Sequence, residues 1–272
     1  MKSNSSFFKS PLLCAGLVLA AAASSAIAAG SKSVSYASNF GNTNLGYASS
    51  YAVAGSNSST GVSLSATGNS SATLLGTTKP LSTISISDKL TGSTPSASVS
   101  VVIGSYIVYS QTNTATTTWS KTVSQTFVTT TATVNVPTPT VSVPVSVSAT
   151  LAGGGGIDMT ATLSKTAVGL SGNVGTNVNG TATATVDAKY KDAVALTANL
   201  NYGNALLSAN AVTANATAMT GNYSLALDAA NLAFIVQLNA IAASTAKSST
   251  LGATTLGSFV LPARTFTLLS LP

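Results

Sequence analysis

The chain of 272 residues has no histidine and no glutamate, and its five acids are all aspartate. Among eleven bases there is one arginine, Arg264, and the single cysteine is Cys14. Each absence removes a class of chemistry. Without histidine there is no Ser-His-Asp triad and no imidazole metal site, and without glutamate any paired-carboxylate site must be built from aspartates alone. Asp88, Asp158, Asp187, Asp192 and Asp228 show no Asp-x-Asp spacing of the kind a calcium loop uses. Each of the five reads as a solvated face or turn residue. Adjacent Ser-Lys pairs, Ser120-Lys121 and Ser164-Lys165, carry no catalytic signal in a chain with 42 serines. The expectation is a protein that is not an enzyme and uses no cofactor and no metal.

What is present is small and neutral: 42 Ser, 40 Thr and 43 Ala. Hydrophobic content is 45% with charge at only 6%, which argues against disorder, because a disordered chain needs low hydrophobicity and high net charge. Aromatics are 6%, so the core is expected to be lean and to be supplemented by long backbone ladders.

The first 28 residues read as a signal peptide. Lys2 and Lys9 give a positive start, Pro11 to Ala23 is apolar, and Ala26-Ile27-Ala28 supplies the small-x-small pattern for cleavage after Ala28. Cys14 lies inside this run behind Pro11-Leu12-Leu13, a context unlike a lipoprotein signal. Export would therefore leave a chain with no thiol, stabilised by its sheets and not by disulfides. The expected destination is extracellular or the cell surface, with outer membrane or periplasm as alternatives. The remaining bases are too dispersed for a nucleic-acid footprint.

Residues 29–100 read as a Ser/Gly-rich region of short strands, flexible in part, and residues 101–272 as an antiparallel β domain. Alternation marks the strands. It is seen in Val62-Ser63-Leu64-Ser65-Ala66, in Ile84-Ser85-Ile86-Ser87 and most strictly in Val141 to Ala149. Thr129 to Val134 is β-branched and suits strand over helix. Pro144 cannot donate to a ladder and so belongs at an edge or a bulge. The four glycines Gly153 to Gly156 read as a turn, as do Asn179-Gly180 and Gly221-Asn222, because Asn and Gly tolerate positive φ. Further alternation at Ala182 to Tyr190, Val194 to Tyr202, Tyr223 to Leu227 and Phe234 to Ala240 predicts a meander of strands about 8 to 10 residues long. The small cluster Asp187, Lys189 and Lys191 reads as a solubility device.

The fold class expected is all-β: an antiparallel meander or sandwich, or a partly closed barrel, of many short Ser/Thr/Ala-rich strands. The composition resembles bacterial surface adhesins and extracellular fibre proteins. That resemblance implies a secreted structural or cell-surface protein, a matrix, adhesin-like or fibre-forming component, acting through polar sheet surfaces and edges. Its expected partner is a further copy of itself or a cell-surface or matrix component, and not nucleic acid. The Ser/Thr-rich stretch from Ser110 to Thr150 also resembles the insertion hairpins of aerolysin-type toxins. This implies the alternative of a membrane-acting β protein, a pore former or an outer-membrane barrel. Thr181-x-Thr183-x-Thr185 and Thr129 to Thr133 suggest surface recognition by threonine arrays, though no regular coil period accompanies them. Tyr106, Tyr109 and Trp119 are the candidate binding residues at the surface, with strand packing as the competing role for each.

Overall fold

The computed structural model describes residues 31–58, 61–187, 194–201, 207–215, 220–227, 230–240, 250–261 and 264–267. The signal peptide, its cleavage point at Ala28, and Lys189 and Lys191 of the charge cluster lie outside them. The described residues form strands and their connections only. The strands are β1 (Ser31–Gly41), β2 (Leu45–Ser58), β3 (Gly61–Leu74), β4 (Thr77–Thr91), β5 (Thr94–Ile103), β6 (Tyr106–Asn113), β7 (Thr117–Pro137), β8 (Ser142–Leu163), β9 (Val168–Val186), β10 (Val194–Asn201), β11 (Leu207–Asn215), β12 (Thr220–Leu227), β13 (Ala230–Ala240), β14 (Thr250–Leu261) and β15 (Arg264–Thr267).

All pairings are antiparallel. The first sheet is an uninterrupted meander, β1-β2-β3-β4-β5-β6. The second has the order β15-β12-β11-β9-β8-β7, and the third is β10-β13-β14. Among the described residues no closed barrel forms. The inner face of the first sheet shares one continuous core with the other two. Its residues include Leu45, Leu64, Ile86 and Val101 from the first sheet, Trp119, Val145, Leu151 and Met159 from the second, and Phe234 and Leu238 from the third.

Period-two alternation places these side chains. Val143, Val145, Val147 and Ala149 are buried while Ser142, Pro144 and Ser146 are exposed and Ser148 is half-buried, as the strict alternation requires. Pro144 pairs with Asn135 of β7, whereas pairing with β9 begins one residue later at Val145. It therefore sits where β8 has a partner on one side only, so its missing N–H costs no ladder bond.

Strands are longer than the turn residues suggest, up to 21 and 22 residues in β7 and β8. Gly153 to Gly156 is no turn: it lies in the middle of β8, paired with Gln125 to Thr122 on one side and with Val178 to Gly175 on the other. Asn179-Gly180 lies within β9 and Gly221-Asn222 within β12. The reversals are made elsewhere. Leu75 and Gly76 have φ of 46° and 81° and join β3 to β4, the pair of positive φ values that a type I′ turn demands. At the β7–β8 reversal the Thr138 N–H donates to the Val141 carbonyl at 3.0 Å, and the Val141 N–H donates to the Thr138 hydroxyl at 3.1 Å.

The division expected at residue 100 falls inside β5, and the first sheet runs on to Asn113. Residues 31–58, read as partly flexible, form β1 and β2 with eleven consecutive cross-strand pairs.

Candidate binding surface

The outward face of β7, β8 and β9 is a regular surface. Register aligns it into three-residue rungs: Thr118–Thr160–Ser171, Ser120–Asp158–Asn173, Thr122–Gly156–Gly175, Ser124–Gly154–Asn177 and Thr126–Ala152–Asn179. A bulge at Phe127 resets the parity of β7. Beyond it come Thr129–Thr150–Thr181, Thr131–Ser148–Thr183 and Thr133–Ser146–Thr185. The last three rungs make a three-by-three array of hydroxyls, spaced about 4.8 Å across strands and roughly 6.7 Å along them. Neighbouring hydroxyls bond within it, Thr129 to Thr150 at 3.1 Å, and Thr118 to Thr160 at 3.2 Å farther down. Across all eight rungs Asp158 is the only charge. The threonine array suggested by the sequence is thus formed by sheet register, without a coil period.

The glycine block forms the floor of a groove of about 610 Å³ on this face. Ser120 and Ser124 on β7 and Asn173 and Asn177 on β9 stand along its sides, and Asp158 stands at one end. The floor can only be glycine. A Cβ at Gly154 or Gly156 would run into the carbonyls of Val123 or Lys121, and one at Gly153 into that of Asn177. The Asn177 carboxamide oxygen accepts from the Gly154 N–H at 2.8 Å.

The three aromatic candidates separate. Trp119 on β7 is 1% exposed and belongs to the core. It is not a surface residue, because Trp119 shares the inward parity of Phe127 and of Met159 opposite it. Tyr106 is 50% exposed and Tyr109 half-buried, both on β6 at the rim of the first sheet. The Lys121 ammonium from β7 lies 5.2 Å from the Tyr106 ring centre and 5.8 Å from that of Tyr109, and donates to the Val108 carbonyl at 3.3 Å. The Tyr109 hydroxyl donates to the Ser120 carbonyl at 3.4 Å, and the Gln125 amide donates to the Ile103 carbonyl. These contacts close the seam between the two sheets. A lysine between two rings is held by their negative faces, so the cluster serves to join β6 to β7.

Two polar groups lie inside the first sheet. Asp88 is not a solvated residue: it is 1% exposed, on the inward side of β4 with Ile84, Ile86 and Leu90. Burial pushes its carboxyl up to about 7, partly offset by its own backbone N–H and that of Leu64, its partner on β3. The other group centres on Tyr36, Tyr47 and Tyr51, all buried. Tyr36 stacks on Tyr51 across the β1–β2 pair at 6.4 Å with rings 7° apart. Burial raises the pKa of Tyr47 and Tyr51, and for Tyr47 the nearby Tyr51, Ser49 and Ser70 hydroxyls pull it back in part. Ser70 and Ser82 bond at 2.6 Å within the interior. Alternation alone could have placed Asp88 inside, since the Ile-Ser-Ile-Ser phase continues straight into it.

Comparison with protein-family models, with curated proteins and with solved structures finds no match to this chain.

Proposed function

We propose that this is a secreted structural or cell-surface protein that adheres through the hydroxyl-dressed outer face of β7, β8 and β9. The observation that carries the reading is the eight-rung face itself, long, regular and bearing one charge. Solubility alone is ordinarily served by mixed Lys, Arg, Asp and Glu, and this face is built instead from groups that donate and accept hydrogen bonds without charge. Its chemistry suits a neutral, hydroxyl-rich surface such as a matrix polysaccharide, to which each rung offers the same donors and acceptors. Catalysis has no part in this reading.

Co-sedimentation with insoluble neutral polysaccharide tests it. Wild-type protein is expected to pellet with the polymer in a salt-insensitive way, and Thr131→Glu with Thr183→Glu, two exposed substitutions at the centre of the array, is expected to stay in solution. Equal pelleting of the double variant removes the reading.

A membrane-acting reading rests on the length of the β7–β8 hairpin, which exceeds the roughly 9 to 11 residues per strand that cross a bilayer. Its apolar residues Val143, Val145 and Val147 are buried in the shared core, so insertion would require the hairpin to leave the first sheet. Dye release from loaded liposomes would favour that reading over adhesion.

A further inference from the structure

We infer that the glycine-floored groove on β7, β8 and β9 is a discrete subsite for a short neutral oligosaccharide, oriented by Asp158 and by the carboxamides of Asn173 and Asn177. The inference rests on the adhesive reading for its class of ligand, and it adds a place where a soluble sugar is held apart from the threonine array.

Register puts three positions without side chains next to one another on this face. Gly156 and Gly175 are neighbours in one rung and Gly154 lies in the next. The surface therefore drops to bare backbone between Ser120 and Ser124 on β7 and Asn173 and Asn177 on β9. The other six rungs carry a side chain at every position. A Cβ at Gly154 or Gly156 would meet a β7 carbonyl, so the depression is built into the backbone. From Ser120 to Ser124 and across two strand spacings the groove measures roughly 13 Å by 10 Å. Its volume of about 610 Å³ lies within the roughly 300 to 1,000 Å³ that small-ligand sites occupy.

The groups around this floor are matched to hydroxyls. Asp158 is exposed and lines the groove, and its two oxygens can accept from adjacent hydroxyls of one sugar ring. The Asn177 carboxamide is oriented by the floor: its oxygen accepts from the Gly154 N–H at 2.8 Å, which leaves its NH2 group as the donor to a ligand. Asn173, beside Asp158 in the same rung, adds a carboxamide that both donates and accepts, and Ser120 and Ser124 add hydroxyls on the opposite wall. A sugar hydroxyl donates and accepts in turn, so each finds a partner here.

Other classes of ligand fit less well. An extended peptide would need unpaired backbone to add itself to the sheet, and through the groove β8 is paired on both sides. An anionic group would meet Asp158 and no cation in the lining. A metal ion would find one carboxylate, since no group of three ligating acids, histidines or cysteines occurs among the described residues. A cationic ligand is separated from a sugar by its response to salt.

Calorimetric titration with cellotetraose, maltotetraose and mannotetraose, and with tetralysine as the cationic probe, tests the site. At least one tetrasaccharide is expected to bind the wild type with the same affinity at low and high salt. Asp158→Ala and Asn173→Ala, both exposed on the outer face, should each weaken that binding about tenfold or more, as loss of hydrogen bonds to a charged or polar partner does, with the thermal midpoint unchanged. Thr131→Glu with Thr183→Glu, outside the groove, should bind the soluble sugar as the wild type does. Heat from none of the three sugars, wild-type affinity in both groove variants, or salt-sensitive binding of tetralysine that competes with the sugar overturns the proposal. A wild type that pellets with polysaccharide but ignores the soluble sugars removes the groove and leaves the adhesive reading standing. Soluble sugar bound at the groove without pelleting does the reverse.

Discussion

The buried carboxyl of Asp88 should make the protein less stable at neutral pH than in mild acid. In the unfolded chain its pKa is near the ordinary aspartate value of 3.8, and in the folded protein burial pushes it up to about 7. The folded state therefore binds the proton more tightly, and stability is fully present below pH 4 and lost as pH rises through 7. Between 3.8 and about 7 each pH unit is worth about 1.4 kcal/mol, so the loss between pH 4 and pH 8 approaches about 4 kcal/mol. That is a large part of the roughly 5 to 15 kcal/mol by which domains are stable. The perturbation is Asp88→Asn, which keeps the shape and removes the ionisation. Urea unfolding at half-unit steps from pH 4 to 9 should show wild type falling steadily to pH 7 and then levelling, while Asp88→Asn holds nearly constant. No histidine or glutamate exists in the chain to blur that window, and an α-amino group contributes equally to both proteins. Parallel curves for the two proteins would refute the reasoning. They would mean that the carboxyl reaches water or a cation in solution.

Four further outcomes follow from the packing. Trp119→Ala should cost about 3 to 5 kcal/mol in unfolding free energy, the range for deleting a large buried aromatic side chain. In the wild type this sole tryptophan should emit at short wavelength and resist iodide quenching, and quenching like that of a free indole would contradict its burial. Gly156→Val places a branched side chain against the Lys121 carbonyl and should prevent soluble expression or lower the thermal midpoint by more than 10 °C, which a melting scan reads. Lys121→Met removes the charge between Tyr106 and Tyr109 and should cost no more than about 1 kcal/mol, because one side of the site is open to solvent; urea unfolding measures it.

Much of the fold was legible because alternation is a direct print of burial in a sheet. The run from Ser142 to Ala149, Ile84-Ser85-Ile86-Ser87 and Thr181 to Val186 all face as their parity says, while Val141, in the turn before β8, is exposed. Lengths and reversals were not legible, and glycine is the reason. Gly92-Ser93 and Gly104-Ser105 each put a glycine of positive φ, 59° and 58°, at the first position of a tight turn. Gly153, Gly154 and Gly156 are glycine for a different cause, the close approach of neighbouring backbone. A sequence shows the residue and not which of the two causes selected it, so a four-glycine run in mid-strand reads as a turn.

The candidate surface was half visible for a related reason. The period-two threonines at 181, 183 and 185 and those at 129, 131 and 133 are separate runs in the sequence, and nothing in either run says that they lie in register with Thr150, Ser148 and Ser146 between them. Register comes from the bulge at Phe127 and from the hairpin at Thr138 to Val141, two features that shift the pairing by single residues. A one-residue slip would turn the outward hydroxyls of β7 into the core and its inward valines outward. The lattice and the core are therefore fixed by the same pairing. A substitution that disturbs the bulge, such as deletion of Phe127, should remove the outer array and the inner packing together, seen as joint loss of polysaccharide pelleting and of cooperative unfolding.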